Sequence, residues 1–412
     1  MKKILVLDVE STTKAKGHPF HRDNKLCLVG LYDGNTYYEY DIEYTDSPYG
    51  ASLLEIKRLI ESCDILVGFN IKFDLHWIRR YIHDIRFPAI HDCQLTAFIL
   101  GNQQSPYPSL DKICTLYGLV GKSDSIVHQL WAEGFDTPAI DKSILSEYLK
   151  GDVTKTYAVY LKQLEEIKPF QQSLIKLHNQ DLLVLEEMEF NGMPFNQEEC
   201  NKLNDEYSKE LESVNDLLKH YYPRPDFNPG SNHQLSVLLF GGSLEYDCQV
   251  PTFRTLKSGE VKIGSKRGTA YQQVKGFFKP KKEWEFKATA KLQDYDLVLS
   301  NKRRQADGKK LLQRIYSTDA ETLQSLKSQA KSAEAKALID LLTRQAYLEK
   351  LQSTYTAGYL KLVEHYGWDD KRLHGQFNQC VAITGRLSSS NPNLQNIAKE
   401  IKPIFRSIYG NN

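Results

Sequence analysis

The chain opens on short apolar runs that alternate with longer stretches of helical spacing. ILVLDV (4–9) has strand length, and LCLVGLY (26–32) followed by TYYEY reads as two strands turning at Asp33-Gly34. SLLEIKRLIES (52–62) repeats its apolar residues at helical spacing, and DILVGFN (64–70) is again a buried strand. FDLHWIRRYI (73–82) predicts a helix with Trp77, Ile78 and Tyr81 on one face, and SILSEYLKGDVTKTYAVYLKQLEEI (143–167) predicts one long helix. Strands interleaved with helices predict an α/β layer with helices on the sheet.

The texture changes after residue 170. Amphipathic helical stretches at 172–190 and 197–220 flank the turn NGMPFN (191–196), and FNPGSNHQL (227–235) predicts a helix start with Ser231 as its N-cap. Residues 245–314 show no clear period and are rich in Lys, Gly and Gln, which predicts a long loop-like or weakly stranded insertion. Helical patterns resume over 317–326 and 346–366, and the last forty or so residues read as strand and loop.

Bulk properties exclude some classes. The 412 residues suffice for two or three domains, and no run of about 18 apolar residues predicts a membrane span. The apolar run after Lys2 and Lys3 meets Asp8 and Glu10 at once, which favours a strand over a signal peptide. Seven cysteines scattered singly, with no CxxC pair, suit a reduced intracellular compartment. The net charge of +1 conceals a polarity: residues 1–170 carry 19 Lys+Arg against 23 Asp+Glu (−4), whereas 251–314 carry 17 against 6 (+11). The basic segment suits either a phosphate backbone or a solvated lysine-rich face.

Asp8 and Glu10 lie two apart at the end of a predicted strand and therefore share a face. Two like charges at the edge of an apolar core raise each other's pKa unless a cation compensates. Asp74 follows a second buried strand, and Tyr148 and Asp152 lie four apart on the long helix, one turn from each other. Such carboxylates suit two hard cations, Mg²⁺ or Mn²⁺, which take oxygen ligands.

DVES, GFNIKFD and YLKGD resemble, in order and separation, the three exonuclease motifs of the proofreading domain in family A DNA polymerases, the DEDDy type. The resemblance implies that Asp8, Glu10, Asp74 and Asp152 hold two divalent cations and that Tyr148 orients the attacking water. It also implies that Asn70 lies near the DNA strand and that Asp92, in HDCQL, is a supporting acidic position. NGMPFN, FNPGSNHQL, YSTDAETLQSL and TGRLSSSNPNLQNI resemble successive landmarks of the polymerase body of the same family. The implied organisation is an RNase H-like exonuclease domain over 1–170, a mainly helical thumb region over 171–366 with the insertion at about 245–314, and the start of a palm over 367–412.

Arg386, Asn393, Gln395 and Asn396 carry donors suited to the minor-groove acceptors that all base pairs share, and the resemblance gives Arg386 a primer-terminus role. In the insertion, Lys266, Arg267, Lys279, Lys281, Lys282, Arg303, Arg304, Lys309 and Lys310 are candidate phosphate contacts, with a processivity-factor site as a further reading. The palm aspartates and the fingers helix of the family have no counterpart before FRSIYGNN, so nucleotide addition is expected to need a second polypeptide carrying palm and fingers. A split polymerase, phage-encoded and acting in the host cytoplasm, is the expectation. A truncated longer protein, a clamp module with weak exonuclease, and a freestanding DEDDy repair nuclease are the alternatives. The expected partners are a single-stranded 3′ end and primer–template DNA.

Overall fold

The computed structural model describes residues 2–45, 48–119, 126–255, 257, 261–285 and 314–405. The chain divides into two compact units, Met1–Leu203 with Thr354–Asn412, and Asn204–Ser353.

In the first unit, β1 (Ile4–Ser11), β2 (Leu26–Tyr32), β3 (Tyr37–Asp41), β4 (Ile65–Gly68) and β5 (Ala89–Asp92) form one sheet in the order β3-β2-β1-β4-β5. The β1–β2 and β2–β3 pairs are antiparallel, and β1–β4 and β4–β5 are parallel. The sheet is thus mixed, as the alternation of runs predicts. Helices α1 (Gly50–Ser62), α2 (Ile71–Tyr81), α3 (Cys93–Leu100), α4 (Leu110–Leu116), α5 (Ile126–Ala132), α6 (Lys142–Glu166) and α7 (Pro169–Asn191) surround it. Both faces are covered, so β1 and β2 read as near-continuous apolar runs rather than alternating ones. Leu5, Leu7 and Val9 face a core with Ile56, Ile60, Leu75 and Trp77 of α1 and α2. Val6 faces the opposite core, with Val153 and Tyr160 of α6 and Cys93 of α3. Asp8 and Glu10 continue the Val6 side along the period-2 alternation.

Within the first unit, helix α7 packs on α2 through buried charges rather than apolar contacts alone. Lys72 Nζ donates to Glu189 Oε1 at 2.5 Å, and His76 Nε2 lies 2.8 Å from Glu189 Oε2. Arg79 grips Glu186 with two N–H groups, both at 2.8 Å. Burial pushes both carboxyls up, yet His76, Arg79 and Lys72 outweigh it and hold them below the usual carboxylate range. Bidentate guanidinium geometry and near-complete desolvation make this a strongly coupled network. A short strand, β6 (Met193–Pro194), follows the αC-terminal Gly192 of α7.

The second unit takes most of α8 (Gln197–Lys219), then α9 (Asn232–Phe240), β7 (Gly242–Thr255), β8 (Val261–Val274), α10 (Ala320–Gln329) and α11 (Ala333–Lys350). Leu218, Leu238, Leu239, Leu326, Leu338, Ile339 and Leu348 fill its core. Ser231 caps α9 as expected, its side chain accepting from the Gln234 amide. The segment read as loop-like or weakly stranded carries a regular antiparallel hairpin, paired from Gly242–Val274 to Thr255–Val261. Over 261–267 its second strand is exposed on both faces, so no apolar alternation marks it in the sequence. Arg303, Arg304, Lys309 and Lys310 lie outside the described residues.

The chain then returns to the first unit with α12 (Ala357–Tyr366), β9 (Arg372–Leu373), β10 (Gln376–Asn378) and β11 (Ser388–Ser390). β6 pairs with β9, and β10 with β11. Glu189 reaches this part as well: its Oε1 accepts from the Phe377 amide at 2.5 Å, and its backbone oxygen lies 2.9 Å from His374 Nδ1. No helix among the described residues is long and apolar enough to cross a membrane.

Candidate active site

Strand register builds the site. β4 pairs with β1 only through Ile4–Val6, so β1 runs on past the end of β4 with one edge open. The Val9 amide on that edge donates to Asp74 Oδ1 of α2 at 3.1 Å. Asp74 is thereby held against the strand that carries Asp8 and Glu10. Its carboxyl sits well above the usual range, first because it is buried and next because Asp8 is close.

On the other edge, β2 pairs Gly30 with Asp8 and Leu28 with Glu10. A Cβ built at Gly30 would stand 2.8 Å from Leu149 Cγ, so the missing side chain is what admits α6 to the sheet. Leu149 is fully buried there, and its helix neighbours Tyr148 and Asp152 are brought to the carboxylates of β1. The Tyr148 phenol is pushed up by burial and then by the charges of Asp152, Glu10 and Asp8, with a hydrogen bond to Asp152. All five residues expected to carry the chemistry thus lie within one electrostatic neighbourhood, with Glu10, Asp74 and Asp152 buried and Asp8 and Tyr148 half-buried. Among the described residues no three His, Cys, Asp or Glu side chains are gathered tightly enough to hold a metal ion by themselves.

Gly30 carries a testable consequence. Gly30→Ala overpacks the β2–α6 contact, at a cost of about 1–3 kcal/mol, and moves Tyr148 and Asp152 off the carboxylates of β1. Leu149→Ala in the same chain restores part of the stability by opening space. Comparison of the three proteins by urea unfolding checks both statements.

Asp92 has a supporting place of a specific kind. Its carboxylate accepts from the amides of Asn70, Ile71, Gln94 and Leu95, at 3.2, 3.0, 2.7 and 3.1 Å. It therefore ties the start of α2 to the start of α3, which fixes the turn from which Asp74 projects. Asn70 is exposed at that turn with a left-handed backbone, φ 59°, a conformation asparagine tolerates.

Arg386, Asn393, Gln395 and Asn396 are exposed near the β10–β11 hairpin. Gly385, at φ 69°, turns the chain just before Arg386. The Asn393 side chain accepts from the Gln395 amide at 3.0 Å, and the Ser389 hydroxyl accepts from the Leu394 amide at 3.1 Å, so the segment is held by its own short polar side chains. In the second unit Lys266 and Arg267 lie exposed on β8, where Arg267 pairs with Asp247 across the hairpin. That pair is solvent-exposed on both sides and constrains the guanidinium little. Lys281 and Lys282 lie at a short 3-10 turn, and Lys281 stands 4.8 Å over the Trp284 ring.

The sequence reading passes over several residues that build the site: Gly30, the His128 and Trp131 rings beside Tyr148, and Glu186 and Glu189 behind α2. The signal for the second group is local, a His and a Trp three apart on one helix face.

Residues 3–168 match the family model described as 3′-5′ exonuclease, and residues 254–409 match that of DNA polymerase family A. Each match spans under half of the chain, which is thus similar in two separate stretches to proteins of these families. The chain is 26% identical over 270 residues to DNA polymerase I of Bacillus caldotenax, covering 65% of this chain and 23% of that protein. To DNA polymerase I of Bacillus subtilis (strain 168) it is 24% identical over 312 residues, 75% of this chain and 27% of the relative. The POL domain of Pol1 from M. smegmatis, solved in complex with DNA primer-template and dNTP, has a TM-score of 0.61 at 17% identity and covers 98% of this chain and 54% of that one. That likeness concerns the fold. The chain therefore spans about a quarter of the length of these two curated relatives.

Proposed function

We propose that the first unit removes nucleotides from the 3′ end of a DNA strand, as a DEDDy-type two-metal exonuclease. The observation that carries this reading is the convergence of Asp8, Glu10, Asp74, Tyr148 and Asp152 on the open end of β1. An all-oxygen donor set fits Mg²⁺ or Mn²⁺. The repulsion between Asp8 and Asp74 within a buried edge is one that a cation relieves.

Asp8, Glu10, Asp74 and Asp152 would hold the two cations, which when bound supply charge stabilisation to the attacking and leaving oxygens of an in-line displacement. The protein's own share is positional. The Val9 amide and the Asp92 bonds fix Asp74 against β1. Tyr148 keeps its proton at neutral pH because burial first, and then the surrounding carboxylates, disfavour the phenolate, so it meets the attacking water as a neutral hydroxyl. Asn70 offers a side-chain amide to the strand beside it.

The remaining residues grip DNA in this proposal. Arg386, Asn393, Gln395 and Asn396 contact the minor groove of a primer terminus, and Lys266, Arg267, Lys281 and Lys282 contact phosphates independently of sequence. Binding of this second kind weakens steeply with salt. Nucleotide addition is proposed to require palm and fingers residues additional to these 412, in continuous or separate polypeptide.

The test uses a 5′-labelled single strand. With Mg²⁺ the protein yields a ladder shortening from the 3′ end, EDTA stops it, and primer extension appears only when palm and fingers polypeptide is supplied. An intact strand under these conditions, with DNA binding retained, overturns the exonuclease reading.

A further inference from the structure

Tyr148 does not stand alone at the edge of the site. Its ring lies edge-to-face with two others from α5, His128 at 5.6 Å and 76° and Trp131 at 5.7 Å and 81°. Those two meet each other at 5.4 Å and 84°. The cage is stitched to the catalytic strand. The Trp131 indole N–H donates to Thr137 Oγ1 at 3.2 Å, and the Thr137 hydroxyl donates to the backbone oxygen of Ser11, the last residue of β1, at 2.6 Å. Thr137 is fully buried, and neighbouring Asp136 accepts from the Thr13 amide at 2.7 Å. Position of α5 is therefore set by the same strand that carries Asp8 and Glu10.

The hydroxyl end of Tyr148 is the informative part. Its oxygen lies 3.2 Å from His128 Nε2. A phenol has one proton to give and two lone pairs to receive. In the exonuclease reading that proton faces the attacking water, so it is not the one shared with the imidazole. The contact with His128 then requires the imidazole to be the donor, through an Nε2–H. A donor there fixes the rotation of the phenol and keeps its proton on the side of the carboxylates.

We propose that His128 is a positioning residue for Tyr148, its Nε2–H holding the phenolic oxygen so that the O–H points at the carboxylate centre where the 3′-terminal phosphate is attacked. This rests on the exonuclease reading above. Mere ring packing is the competing account, and it makes the imidazole nitrogen dispensable.

The experiment separates the two. Single-turnover digestion of a labelled single strand with Mg²⁺ is measured for the parent, His128→Phe, His128→Gln, Tyr148→Phe and the His128→Phe/Tyr148→Phe pair. His128→Phe lowers the rate about tenfold, the scale of one neutral hydrogen bond, while the KM for the strand stays within about twofold because the strand is not touched. His128→Gln, which still offers an N–H, recovers to within about threefold of the parent. In the Tyr148→Phe background His128→Phe has no further effect, since the oxygen it serves is gone. His128→Met set against His128→Gln repeats the comparison at similar side-chain length, should phenylalanine crowd α6. A parental rate in both His128→Phe and His128→Met, or a full additional loss in the Tyr148→Phe background, overturns the proposal. Failure of the exonuclease reading looks different: there the parent itself, or an Asp8→Ala/Glu10→Ala chain, gives the wrong digestion.

Discussion

Asp8→Ala/Glu10→Ala abolishes 3′-end digestion while leaving the fold intact. Both carboxylates point from one face of β1 into the same edge, where they meet Asp74 and Asp152. In the proposed two-metal exonuclease, removing two ligands forfeits several kcal/mol of charge stabilisation, which corresponds to a rate loss of about a thousandfold or more. After burial itself, Asp8 is the group that holds the buried Asp74 carboxyl high, so the change relieves that repulsion. Thermal unfolding of the double variant is therefore expected to match or exceed that of the parent. Digestion assays and a melting curve on the same preparation check both halves. Activity within about tenfold of the parent would place the chemistry elsewhere, and a large loss of stability would mean these carboxylates serve the fold.

Glu189→Ala produces the largest loss of stability. Glu189 is nearly inaccessible and serves Lys72, His76 and the Phe377 amide at once. Truncation strands the Lys72 ammonium and leaves His76 with Glu186 alone, 3.4 Å from its Nδ1, and breaking such a pair costs about 3–5 kcal/mol. Glu189→Gln retains an acceptor for Phe377 but not the charge, so it should fall between the two. Lys72→Met in the Glu189→Ala background should recover part of the loss by removing one stranded cation. Urea midpoints for the four proteins read this directly, and a Glu189→Ala midpoint equal to the parent's would refute the network's role. Helix α2 carries both Lys72 and Asp74, so the same substitution also loosens a residue of the candidate active site.

Much of this was legible in the sequence, and for identifiable reasons. ILVLDV and LCLVGLY are buried on both faces and so appear as unbroken apolar runs, which locates β1 and β2 to within two residues. Asp8 with Glu10, and Tyr148 with Asp152, are pairs whose common face follows from strand and helix period alone. What the sequence withheld depends on distant partners. Gly30 looks like any strand glycine until the register sets it opposite Asp8 and beneath Leu149. Glu186 and Glu189 have the spacing of a solvated helix face; they are buried because Lys72, His76 and Arg79, more than a hundred residues earlier, neutralise them. The hairpin of β7 and β8 hides because, with both faces of β8 exposed over 261–267, nothing there forces polar and apolar residues to alternate.

The most direct test of the central claim is to locate the cations. Crystals of the protein grown with Mn²⁺ and a short single strand should show two anomalous peaks about 4 Å apart, within coordination distance of Asp8, Glu10, Asp74 and Asp152, with the 3′-terminal phosphate beside them and the Tyr148 hydroxyl facing it. Manganese bound away from these four carboxylates, with the strand's 3′ end elsewhere, would contradict the account.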